Sequence, residues 1–205
     1  MMKKFPSINQ FRNAIRAVKS HAQWQGTNEA GESVYDHTKP LPVLRYRGTV
    51  KLHGTNAAVV YDFLKSEFQY QSRERELTLD HDNAGFMNYM NEETPALLNL
   101  ISEVLNAYEF ETSPDSIVLF GEWCGGNIQS GIAISGLPKM FVIFGIVVYF
   151  GETRKWLDLS KLTNVHNASR NIYNILQFPF FELEIDFSNP AYVQNKLVEL
   201  TQSVE

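Results

Sequence analysis

The chain is 205 residues long, 44% apolar, with a formal net charge of −5, which is enough for one substantial core and short for two. That charge argues against a general nucleic-acid adhesive, and the apolar runs at 117–120 and 140–150 fall well below the roughly 20 residues that span a membrane. A single cysteine, Cys124, rules out an internal disulfide and suits a reducing cytoplasm.

Phe5, Ile8, Phe11, Ile15 and Val18 recur at helical spacing with Arg12, Arg16 and Lys19 opposite them, which predicts an amphipathic helix over residues 7–20 capped by Ser7. Residues 26–42, with two glycines and two prolines, read as a loop. Strands are expected over 43–51 and 57–63, with 68–72 continuing the sheet. A polar loop at 80–84 precedes helices near 85–90 and 95–108, and Ser113-Pro114-Asp115 is a turn signal before a strand over 117–123. Residues 125–138 hold four glycines and little charge, a composition suited to a loop lying against a ligand or the core. A strand over 140–150 follows, then a hairpin or short helix from Trp156, and a helix over 190–204. Strands and helices without regular βαβ alternation argue for an α+β fold. No repeat or linker marks a boundary, so residues 1–205 read as a single domain.

Charge is uneven along the chain. Residues 1–50 carry eight Lys/Arg against three Asp/Glu, and residues 51–205 carry ten against twenty. The basic N-terminal part either approaches a phosphate backbone or carries ordinary solvated helix and loop charges.

The densest chemistry lies in Lys51-Leu52-His53-Gly54-Thr55-Asn56. A lysine attacks phosphorus only as the free amine, so a site must lower its pKa by desolvation or by nearby positive charge. Val50 and Leu52 offer the first, and Arg45 and Arg47 the second. Gly54 lets the backbone turn and approach a ligand, while His53, Thr55 and Asn56 offer hydrogen-bonding groups to phosphate or ribose. The competing reading is a strand that ends in a polar turn. Glu122, set between the apolar run 117–120 and Trp123, is costly to bury without partners and points to a ligand hydroxyl or a metal nearby. Cys124 has no base at fixed spacing and reads as a packing residue. The remaining histidines lack ligand spacing, so no zinc site is expected.

The hexapeptide resembles motif I of the covalent nucleotidyltransferases, K-x-[DH]-G, in the K-x-H-G-T/A-N form of RNA ligases of the RNA ligase 2 type. Gln71-Ser72-Arg73 is similar to motif Ia, Phe120-Gly121-Glu122-Trp123 with Gly126-Asn127-Ile128-Gln129 to motif III and its extension, and Phe141-Val142-Ile143-Phe144 to motif IIIa. The resemblance implies an α+β, ATP-grasp-like adenylation domain with antiparallel sheets around a nucleotide cleft. It implies that Lys51 attacks ATP to give lysyl-AMP, that AMP passes to an RNA 5′-phosphate, and that a 3′-hydroxyl then seals the strand, with Mg²⁺ or Mn²⁺ offsetting the phosphate charge. By the same resemblance the main chain of Val50 meets the adenine edge, Asn56 and Arg73 hold ribose or phosphate, Glu122 binds ribose and Phe144 stacks on adenine, while His53 either contacts the AMP phosphate, helps in later steps, or is satisfied within the turn. Many relatives have a glutamate where this chain has Val50, and an acidic residue where it has Gly145.

The family pattern continues with an E-G-x-V strand and a K-x-K strand. No Glu-Gly dipeptide occurs in this sequence, and Lys155, Lys161 and Lys196, the lysines after Phe150, form no K-x-K. The expectation is therefore a domain incomplete at its C-terminus and weak or inactive alone. The alternatives are a non-catalytic nucleotide- or RNA-binding module derived from the same fold, and a DNA ligase or mRNA capping enzyme, whose motif I is usually K-x-D-G.

Overall fold

The computed structural model describes residues 2–204. In chain order the elements are α1 (Phe11–Gln23), β1 (Trp24–Thr27), β2 (Ser33–Tyr35), β3 (Val43–Thr49), β4 (Gly54–Asp62), β5 (Glu67–Ser72), α2 (Phe86–Glu92), α3 (Thr94–Asn106), β6 (Ser116–Cys124), β7 (Met140–Phe150), β8 (Thr153–Leu157), β9 (Ile172–Asn174), β10 (Phe180–Asp186) and α4 (Gln194–Val204). The fold is α+β with antiparallel sheets, apart from one short parallel pair, β7 with β9. No helix among the described residues is long and apolar enough to cross a membrane. By its contacts the chain divides into two compact units, residues 1–5 with 51–178, and residues 6–50 with 179–205.

The larger unit is built on a sheet of order β5-β4-β6-β7-β8, with β9 beside β7. One face carries Ala57, Val59, Leu119, Trp123, Phe141 and Ile143 against Phe86, Met90, Leu97 and Leu100 of α2 and α3. Phe86 sits in edge or tilted contact with Trp123 at 5.6 Å and Phe141 at 5.0 Å, geometries worth about 0.5–1.5 kcal/mol each beyond area burial. The opposite face has its own apolar layer, Ala58, Val60, Val118, Phe120 and Val147, against which Phe5, Phe144 and Tyr149 pack. Covering on both sides explains why β6 and β7 read as continuous apolar runs with little alternation.

The smaller unit holds the β1–β2 hairpin, the β3–β10 pair and helices α1 and α4. Three expectations are corrected here. Helix α1 begins at Phe11 with Gln10 at its N-cap and no side-chain cap bond, so Ser7 does not cap it, and none of its residues is fully buried. Residues 26–42 are not all loop: the Asn28 side chain accepts the N–H groups of Ala30 and Glu32, forming the turn that closes the β1–β2 hairpin. Strand β10, unforeseen, pairs with β3 from Phe180–Thr49 to Asp186–Val43. Its Phe181, Leu183 and Ile185 alternate with exposed Glu182, Glu184 and Asp186, a period-2 signal that was present in the sequence.

Candidate functional site

Lys51, Leu52 and His53 form an irregular connection, and Gly54 is the first residue of β4, paired with Cys124 at the end of β6. A Cβ at Gly54 would stand 2.2 Å from the Trp123 carbonyl oxygen and 2.6 Å from Cys124 Cβ, so only glycine lets the two backbones approach this closely. The Gly54 N–H donates to Glu122 Oε1 at 2.9 Å, and the Gly54 carbonyl accepts from Gln129 Nε2 at 2.7 Å. One residue on, Thr55 Oγ1 donates to Asn83 Oδ1 at 3.2 Å while Asn83 Nδ2 donates to the Asn56 carbonyl at 3.3 Å. The start of β4, directly after Lys51-Leu52-His53, is thus fixed by β6, by the glycine-rich loop after it, and by the loop before α2.

Across the sheet, Asn56 pairs with Glu122, Glu122 with Val142, and Val142 with Tyr173. Alternation in β4 and β6 sets Asn56 and Glu122 on the face of Ala58 and Phe120, opposite the helices. Tyr173 is half-buried between fully buried Ile172 and Asn174, which places it on that same face. Arg73 stands just past β5, one step beyond the Ala57–Ser72 pair, exposed and 3.7 Å from Glu74. In the next rank Phe120 pairs with Gly145 and Gly121 with Ile143, leaving Phe144 as the extra residue of a β-bulge. The bulge turns both Phe144 and Gly145 toward the face opposite the helices, where strict alternation would hide one of them.

Residues 3–5 lie on this face too. The Lys3 N–H donates to Gln71 Oε1 at 3.1 Å and the Gln71 amide donates back to the Lys3 carbonyl, so the nearly fully buried Gln71 behaves as a strand partner. The Phe5 ring is edge-on to Phe120 at 5.3 Å, Phe144 at 5.0 Å and Trp156 at 5.3 Å. The segment covers the apolar ranks and leaves the rank of Asn56 and Glu122 beside it.

Burial pushes the Glu122 carboxyl above the ordinary glutamate range, a shift partly offset by the Gly54 N–H and by the positive charge of Lys51. Burial, with a smaller contribution from the Glu122 charge, pushes the Cys124 thiol up to about 12, in keeping with a packing role. Arg45 and Arg47, expected to lend positive charge to Lys51, are instead paired across the β3–β10 ladder with Glu184 and Glu182. That pairing neutralises them because the glutamates stand directly opposite in register.

Of the residues singled out from sequence, Lys51, Asn56, Arg73, Glu122 and Phe144 all belong to the larger unit, and the Glu122 carboxyl lies close enough to Lys51 to respond to its charge. Val50 is the last residue of the other unit's first segment. His53 is exposed and makes no hydrogen bond among the described residues. Asn83 and the packing role of Phe5 are not legible in the sequence. Asn83 sits in a polar loop and Phe5 fits the apolar spacing of the helix predicted after it, so only long-range contacts reveal them. Among the described residues no group of three or more His, Cys, Asp or Glu side chains could hold a metal ion.

A lysine-bearing turn locked to a glutamate on the neighbouring antiparallel strand, with an aromatic residue presented by a bulge on the next, defines a nucleotidyltransferase-like domain. The RNA ligase family model matches residues 44–192, and the chain belongs to that family. No curated protein matches it.

Proposed function

We propose that this domain performs the nucleotide chemistry of an ATP-dependent RNA ligase, with Lys51 as the nucleophile. The observation that carries the reading is a set of polar groups around Gly54 that no protein group engages. The Lys51 amine, the Asn56 side-chain amide and Glu122 Oε2 have no hydrogen-bond partner among the described residues, although the backbone between them is held by Glu122, Gln129 and Asn83. Fixed backbone with free polar ends is the preorganisation that phosphoryl transfer requires.

In this reading the neutral Lys51 amine attacks the α-phosphorus of ATP. A P–N bond forms, the bond to the bridging oxygen breaks, pyrophosphate leaves, and the amine proton passes to solvent. An oxygen of an RNA 5′-phosphate then displaces Lys51 from the phosphorus, and a 3′-hydroxyl on RNA finally displaces AMP to make the phosphodiester. Arg73 can fork onto phosphate oxygens, Glu122 Oε2 and Asn56 face ribose hydroxyls, Phe144 offers a flat ring to adenine, and His53 is available to the phosphate. Mg²⁺ or Mn²⁺ would neutralise triphosphate charge. A cytoplasmic setting suits the free, buried Cys124.

Intact mass after incubation with ATP and Mg²⁺ tests the proposal. A gain of one AMP that is absent from Lys51→Ala supports it. ATP binding with no covalent adduct would favour either a ligase domain that is inactive alone or the binding-module reading.

A further inference from the structure

The N-terminal segment lies outside the family match, which begins at residue 44, yet it is built into the face that carries Glu122 and Phe144. Its attachment is specific: Lys3 and Gln71 exchange two hydrogen bonds, and the Lys3 ammonium sits 3.8 Å over the Tyr149 ring. Phe5 then fills the space above Gly145. A Cβ on Gly145 would stand 2.7 Å from Phe5 Cε2 and 3.4 Å from Trp156. The missing side chain at 145 and the ring at 5 are therefore complementary, and the bulge that turns Gly145 to this face is the same one that turns Phe144 to it.

From this geometry we infer that Phe5 is a positioning residue for the nucleotide base: it braces the Phe144 ring edge-on from one side and closes the apolar ranks of the sheet, leaving the other side of Phe144 to the ligand. The inference rests on the reading of Phe144 as the base-stacking residue. An extra residue in a strand has no ladder partner to hold its side chain, so its ring orientation depends on its neighbours. Phe5 is the ring that makes direct edge contact with it. A braced ring loses less freedom when a base stacks on it, so the brace acts on binding of the base and leaves the lysine chemistry alone.

The test compares binding of ATP with binding of inorganic triphosphate, which has the phosphates and no base, to the full chain and its Phe5→Ala, Phe5→Leu, Phe144→Ala and Phe5→Ala/Phe144→Ala variants. Phe5→Leu keeps the apolar cover and guards against a variant that fails to fold. The expected result is an ATP dissociation constant raised about three- to tenfold by either Phe5 substitution, an unchanged triphosphate constant, and a double variant no weaker than Phe144→Ala alone. ATP binding that is unaffected in both Phe5 variants, or ATP and triphosphate binding that weaken equally, overturns the inference while leaving the nucleotide site intact. A wild-type chain with no preference for ATP over triphosphate overturns the base-stacking role of Phe144 itself, and this inference with it.

Discussion

Glu122 accepts the Gly54 N–H through Oε1 at 2.9 Å, and this bond joins the strand that follows Lys51 to the strand that carries the half-buried carboxylate. The partners stand near a cross-strand pair, Asn56 with Glu122, so the carboxylate reaches back along β4 to the residue where the turn ends. Its remaining oxygen is left for other work, which links the fixing of the turn to the chemistry proposed for it.

Gly54→Ala should destabilise the fold, because the new methyl meets backbone and not a movable side-chain tip. Overpacking of this kind costs about 1–3 kcal/mol. Urea denaturation would show it as a lowered midpoint with an unchanged slope; a midpoint equal to wild type would mean that β4 can shift away from β6 at no cost.

Glu122→Gln should change the pH dependence of stability. Because the folded carboxyl titrates above the ordinary glutamate value, the native state binds more protons than the unfolded chain between those two values, and stability falls as pH rises through that window. The amide has no such dependence and can still accept the Gly54 N–H. The melting temperature of Glu122→Gln relative to wild type should therefore rise through the pH range above the ordinary glutamate value. A constant difference across that range would contradict the raised carboxyl.

Asn83→Ala removes the acceptor for Thr55 Oγ1 and the donor to the Asn56 carbonyl. Loss of two half-buried neutral hydrogen bonds should cost about 1–3 kcal/mol and, with Lys51 as the proposed nucleophile, slow its labelling by ATP. Thermal melting and labelling rates at saturating ATP read the two effects separately.

Cys124 should resist alkylation in the native state. Its thiol is fully buried and pushed up to about 12, so at neutral pH it offers little thiolate and no access. Mass spectrometry after iodoacetamide should find no adduct on native protein and one adduct in denaturant. Rapid native labelling would show that the end of β6 opens.

Opposite charges in register should hold Glu182 below the ordinary glutamate range, chiefly through its hydrogen bond and charge interaction with Arg47. Its carboxyl titration, followed by NMR, should move back toward the ordinary value in Arg47→Ala. Because the folded value is depressed, the pair's contribution is present above the ordinary glutamate value and is lost as pH falls through the folded one.

The RNA ligase motifs were legible in the sequence because each is a short run whose chemistry is local: a lysine and glycine at a turn, an acid in an apolar strand, an aromatic strand after it. Strands β6 and β7 announced themselves by apolar run length. The β10 alternation is equally legible. The hairpin in 26–42 was hidden because turn residues dominate its composition and its strands are three and four residues long.

Only the tertiary structure decided what those motifs touch. Nothing local to Gly145 indicates that a ring from residue 5 will lie on it, or that a bulge will turn Phe144 to the same side, because both depend on the register between β6 and β7. Arg45 and Arg47 likewise look free in the sequence and lose that freedom to glutamates more than 130 residues away. The chain's order of residues determined which groups could do the chemistry; long-range pairing, whose partners no local window contains, determined which of them are held, covered or left open.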